Sequence, residues 1–131
     1  MKGISDLDTL LCSMSPEIAA EKYVFCTANK SLVQVFELDP LATFHEKEGL
    51  TLVLLESVAK DAKLNYDGVY RCITLTVHSS LDAVGLTAAV ATKLASHGIS
   101  ANVIAAYYHD HIFVQEEKAN AALQALKELS A

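Results

Sequence analysis

The side chains with the clearest chemical potential in this chain are three of its five histidines and the carboxylates beside them. His78-Ser79-Ser80-Leu81-Asp82 follows one β-like run, and His109-Asp110-His111 interrupts another. Imidazole and carboxylate together hold Zn²⁺ or another transition metal, and imidazole also titrates near neutrality. The set therefore reads in three ways: as metal ligands at His78, His109 and His111, as a pH-responsive patch, or as ordinary solvated turn residues. A Ser-His-Asp reading built from Ser79 or Ser80, His78 and Asp82 fails, because adjacency in sequence does not align a nucleophile, a base and its orienter. The chain has no phosphate-cradling glycine-rich loop, dinucleotide fingerprint, nucleophile elbow or H-E-x-x-H pair. We expect no enzyme, no catalytic residues and no cofactor, and a metal-dependent enzyme at the histidine rim is the remote alternative.

Composition narrows the classes further. The 131 residues are 52% hydrophobic and 20% charged, enough apolar material to fill one compact domain or two small lobes. No apolar run reaches the roughly 18 residues of a membrane-spanning helix, which predicts a soluble protein with no membrane partner. Sixteen Asp and Glu outweigh ten Lys and Arg, for a net charge of −6, and neither half of the chain conceals a basic module. Nucleic acid is therefore a poor partner. Cys12, Cys26 and Cys72 are odd in number and far apart, so they read as reduced core residues. With no export-like segment in Met1 to Leu10, the expected compartment is the cytoplasm.

The elements that must position these residues follow from periodicity. Leu7, Leu10, Leu11 and Met14 predict a short helix over Ser5 to Met14, ended by Ser15-Pro16. Tyr23 to Ala28 predicts a strand, and Leu32 to Leu38 a weaker one before Asp39-Pro40. Leu41 to His45 and Leu50 to Leu55 flank Glu46-Lys47-Glu48-Gly49 as a hairpin. A helix follows over Ser57 to Leu64, capped by Ser57 or Glu56. Arg71 to Val77 alternates strictly and predicts a strand with Ile73, Leu75 and Val77 on one face. Val84 to Ser96 predicts a helix stopped by Gly98, with Thr87 inside its apolar stripe. Ala101 to His109 and His111 to Gln115 predict a strand pair about a tight turn at Asp110; Tyr107 and Tyr108 alternate across it, and core packing of both is expected over one covering an interface or a ligand. Lys118 to Leu129 predicts a last helix with Ala119, Leu123, Leu126 and Leu129 on its buried stripe.

Strand, helix, strand, strand, helix is a split βαβ unit short of one strand, and the first half offers pieces to supply it. The order predicts an α+β, ferredoxin-like protein: two interlocked βαββαβ units with antiparallel sheets and helices on one face. The expected lobes are residues 1–65 and 66–131, sharing strands in one rigid body, since no flexible linker separates them around Tyr66-Asp67-Gly68. In such a sheet His78, His109 and His111 fall on one rim.

The stretch from Val77 through His78, Asp82, Gly85 and Thr87, then the helix to His97-Gly98-Ile99-Ser100, resembles the ACT-domain pattern. Asn102-Val103-Ile104 to Phe113-Val114 is similar to the corresponding strands of stand-alone tandem ACT proteins of bacteria, and to arginine-sensor and aspartate-kinase regulatory lobes. The resemblance implies a regulatory protein that binds a small metabolite, commonly an amino acid, through the first loop and an adjoining strand. It implies the ligand-binding set His78, Ser79, Ser80, Leu81, Asp82, Val84, Gly85, Leu86, Thr87, Ser100 and Asn102. His78 and Gly85 match the loop histidine and glycine of serine-binding members. Val84 stands where proline is usual, and Ser100 where asparagine opens the second strand, with Asn102 placed to substitute.

Physical chemistry supports that placement independently. A helix opening near Val84 presents unpaired N–H groups and a positive dipole end, which favour a carboxylate. Gly85 allows close backbone approach or simply helix packing, Asp82 is an N-cap or a partner for an ammonium, and the Thr87 hydroxyl bonds the backbone or a ligand. The competing class is a ligand-free interaction module whose polar strand face at Cys72, Thr74 and Thr76 joins another subunit's sheet. A homodimer through the sheets and a regulated partner protein are the expected macromolecular associations.

Overall fold

The computed structural model describes residues 7–76 and 85–130, whose order is α1 (Leu7–Ser13), β1 (Pro16–Ala28), α2 (Leu32–Val35) running into a 3-10 turn (Phe36–Leu38), β2 (Ala42–Glu46), β3 (Gly49–Leu55), α3 (Glu56–Asp61), β4 (Tyr70–Leu75), α4 (Leu86–Ser96), β5 (Asn102–Ala105), β6 (Asp110–Gln115), a 3-10 turn (Glu116–Lys118) and α5 (Ala119–Leu129). The fold is α+β and ferredoxin-like, as the order of elements predicts. Two compact units divide the chain: Glu21–Tyr70, and the described residues of Met1–Ala20 with Arg71–Ala131. Strand β1 is long enough to give residues 16–20 to the second of these and residues 21–28 to the first.

In Glu21–Tyr70 the strands lie in the order β2-β3-β1. The hairpin pairs Ala42 with Val53 and Glu46 with Gly49, and β1 lies antiparallel to β3 with Tyr23 opposite Leu55 and Ala28 opposite Leu50. One face buries Val24, Cys26, Leu50, Leu52 and Leu54 against Val35 and Ala59 of the helices. Gly49 is required by crowding, because a Cβ there would stand 2.9 Å from the Thr27 hydroxyl and 3.3 Å from the Ala28 carbonyl.

The weak strand expected over Leu32 to Leu38 is instead helical. Ser31 and Gln34 form a capping box: the Gln34 side chain accepts from the Ser31 N–H at 2.9 Å while the Ser31 hydroxyl accepts from the Gln34 N–H at 3.4 Å. That S-x-x-Q signature satisfies two donors reciprocally and outweighs the β preference of Val33, Val35 and Phe36. Helix α3 begins directly off β3, with Leu55 at its N-cap position and no side-chain cap, so neither Ser57 nor Glu56 plays that part.

In the other unit the order is β1-β4-β6-β5. The Arg71 guanidinium donates twice to the Ala19 carbonyl, at 3.1 and 2.6 Å, and the Thr76 N–H and hydroxyl donate to the Ser15 carbonyl at 3.0 and 2.7 Å. These bonds fix β4 against the start of β1. Ile73, Leu75, Ile112 and Val114 pack on Leu86, Val90 and Leu94 of α4 and on Ala119, Ala122, Ala125 and Leu126 of α5. The buried stripe of α5 runs through alanines, which bring the helix close to the sheet, while Leu123 and Leu129 are only partly buried. Lys93 joins Glu128 across the two helices at 2.7 Å.

Three local expectations are corrected. Cys12 is exposed on α1, whereas Cys26 and Cys72 are buried free thiols. The β5–β6 turn is not at Asp110. Asp110 is the first residue of β6, opposite Ala105, and residues 106–109 make the turn, closed by the Ala106 N–H on the His109 carbonyl at 3.0 Å. Tyr107 and Tyr108 therefore leave the sheet and stand 63% and 66% exposed, ring edge to face at 4.9 Å.

Candidate functional site

Helix α4 opens on Gly85, whose φ of +97° is a left-handed conformation that side chains resist, and no side chain caps the helix from that position. The first-turn N–H groups have no intrahelical acceptor. The Gly85 carbonyl accepts the Ala89 N–H at 2.8 Å, the first full turn of the helix. A Cβ on Gly85 would lie 3.1 Å from Leu7 Cδ2, so the residue also admits the close approach of α1.

Around this helix start the expected residues separate. Leu86 is buried in the core, which leaves only its backbone for a ligand. Thr87 is exposed rather than set in the apolar stripe, because the buried stripe is Leu86, Val90 and Leu94 and Thr87 lies off that face. Ser100 and Asn102 are exposed, Asn102 at the opening of β5 opposite Phe113. His78, Ser79, Ser80, Leu81, Asp82 and Val84 lie outside the described residues.

The histidine hairpin is better defined. His111, on β6, lies with Nδ1 2.9 Å from the Thr74 hydroxyl of β4. Burial holds the His111 imidazole below its ordinary pKa, helped by the charge of His109 and opposed by Asp110. Burial pushes the Asp110 carboxyl up, against the pull of His111 and His109. His109 Nδ1 is buried with no hydrogen-bond partner among the described residues. Among those residues no group of three His, Cys, Asp or Glu side chains is arranged to hold a metal ion.

Sequence reasoning missed two clefts in the unit Glu21–Tyr70. One, of about 340 Å³, is lined by Glu21, Tyr23, Asp39, Pro40, Leu41 and Leu55. The other, of about 150 Å³, lies between α2 and α3 and includes Lys30, Gln34, Glu37 and Leu64. The only signal available beforehand was Asp39-Pro40, which read as a strand stop. Asp39 is left-handed at φ +49°, and that turn sets the wall of the larger cleft.

Both units lay helices on an antiparallel sheet in the α+β, ferredoxin-like manner. An ACT-domain model matches residues 2–71, and a second ACT-domain model matches residues 68–128. The chain belongs to the ACT-domain family. A protein of unknown function from Vibrio cholerae, described as a possible transport protein, is 62% identical over 95% of this chain and 96% of its own, with a TM-score of 0.89. A protein from Agrobacterium tumefaciens shares 16% identity over 89% of each chain at a TM-score of 0.67. The ligand-free regulatory subunit of aspartate kinase from Thermus thermophilus shares 10% identity over 91% of this chain and 99% of its own at 0.63. These last two likenesses concern the fold alone. No protein of curated description matches the chain.

Proposed function

We propose that this tandem ACT protein is a non-enzymatic sensor that binds a small carboxylate-bearing metabolite, an amino acid before others, at the opening of α4. The observation that carries the reading is Gly85: a left-handed, side-chain-free N-cap leaves the amides of the first turn without a side-chain cap among the described residues, beside exposed Thr87. Such amides and the positive helix end favour a carboxylate. The ligand shifts a conformational or assembly equilibrium through its differential affinity for the two states. Membership of a family whose members are typically ligand-binding regulators of amino-acid metabolism supports the same reading. No helix among the described residues is long and apolar enough to cross a membrane, and we place the sensor in the cytoplasm.

A second reading, a ligand-free interaction module, draws on exposed apolar side chains, among them Val33 at 86% and Phe36 at 78%. Thermal melts with each of the twenty amino acids separate the two, since binding to the folded state raises the melting temperature. We expect at least one amino acid to raise it and Thr87→Asp to abolish the rise. An aspartate in the first turn suits the helix dipole, so the unliganded melt stays within about 1 kcal/mol of the parent while the added charge repels a carboxylate. No shift with any of the twenty hands the case to the interaction module.

A further inference from the structure

We propose that the 340 Å³ cleft of the unit Glu21–Tyr70 is a second binding site, for a small organic cation: an ammonium or guanidinium group carried on a short apolar chain. The register builds it. Tyr23 pairs with Leu55 on β1 and β3, and Pro40 stands two residues before Ala42 of β2, which pairs with Val53, so Pro40, Leu55 and Tyr23 continue one cross-strand row at the end where β2 begins and β3 stops. That row and Leu41 supply the apolar and aromatic part of the lining. Leu41 is held there by its N–H on the Val53 carbonyl at 2.8 Å.

Glu21 and Asp39 are exposed members of the lining, and neither forms an ion pair with a cation among the described residues. The lining contains no basic side chain. Two carboxylates and a tyrosine ring lining one cleft attract a cation and repel an anion, and the leucines and proline accommodate methylenes. The volume falls within the range of small-molecule sites, about 300–1,000 Å³. The site is independent of the α4 opening in both place and sign: one takes a cation, the other a carboxylate.

The test is an amide NMR titration of the full chain with cadaverine, a five-carbon chain with an ammonium at each end, and, separately, with pentanoate, a five-carbon chain ending in one carboxylate. Cadaverine is expected to move the amides of Tyr23, Leu41 and Leu55, and pentanoate to leave them in place. Asp39→Asn preserves the left-handed turn, which asparagine tolerates, and Glu21→Gln preserves size. Each should weaken cadaverine several-fold, and the pair should abolish binding with the unliganded spectrum still folded. Thr87→Asp should leave the cadaverine titration unchanged, so failure of either site is read apart from the other. Equal shifts with both compounds, cadaverine shifts that survive the double variant, or no shift at millimolar cadaverine would each overturn the proposal.

Discussion

The unit Glu21–Tyr70 and the unit resumed at Arg71 apply the same sheet-and-helix arrangement with different completeness. In the latter, α4 and α5 each run eleven residues and lay continuous stripes over Ile73, Leu75, Ile112 and Val114. In the former, α2 has four residues and α3 has six, and the helix side closes over a shorter row of β-strand side chains. On the opposite face of the same sheet, in register with Thr51, Phe44 of β2 is 69% exposed. The smaller cleft lies beside the short helices, lined by Gln34, Val35 and Ala62, whereas the larger includes Tyr23 and Leu55 from the opposite face of the sheet. Long helices fill the space over a sheet, and short ones leave a concavity such as the smaller cleft.

Core truncation should expose that contrast most strongly. Leu126→Ala removes a side chain with no exposure from between helix and sheet, and should cost about 3–5 kcal/mol. Leu52→Ala, equally buried, should cost nearer ~2–3 kcal/mol, because short helices collapse onto the cavity more readily. Urea midpoints read both. A Leu52→Ala cost equal to that of Leu126→Ala would break the comparison.

Gly85→Ala comes next. A left-handed backbone and a Leu7 methyl 3.1 Å from the new Cβ should together cost about 1–3 kcal/mol. In a Leu7→Ala background the steric part disappears and the backbone part stays, so a double-mutant cycle separates packing from conformation. If the cycle shows no coupling, Leu7 is irrelevant to the glycine, and the case for a ligand approaching there is sharpened.

The smallest expected effect is in the pH dependence. Because the folded-state pKa of His111 lies below its ordinary 6.5, the unfolded chain takes up the proton first as pH falls. Stability is unaffected by this group at higher pH and is lost as pH drops through 6.5 toward the depressed folded value. Asp110, raised, works in a lower window with opposite sign: its share is lost as pH rises from 3.8 toward the folded value. Thermal melts of His111→Gln between pH 5 and 7.5 should show a flatter slope than the parent. An unchanged slope would assign the titration elsewhere.

Much of the fold was legible before any coordinates, and the reasons are local. Strict alternation in Arg71 to Val77 marked β4, and Gly98 marked the end of α4, where it takes φ +70°. The β2–β3 hairpin was readable from two β-rich runs about Gly49. The misreadings also have local causes. Val33, Val35 and Phe36 suggest a strand by side-chain type, and the Ser31-to-Gln34 capping box overrides that preference. Thr87 was placed on the buried stripe because alanines blur a helical wheel, and Ala88, Ala91 and Ala95 are in fact exposed. Of the candidate site, Gly85 was readable as a helix start, but the cleft at Asp39 was not, because its lining comes from three separated stretches of chain.

Periodicity, capping residues and glycine positions are properties of neighbours in sequence, so the chain by itself determined its element types, its α+β class and its ACT pattern. Which apolar residues stay in water, how near Leu7 comes to Gly85, and that Glu21, Tyr23, Asp39 and Leu55 meet around one cavity were decided only by tertiary structure. Those features depend on strand register and on how far each helix reaches over its sheet, and both are set by contacts between residues distant in sequence.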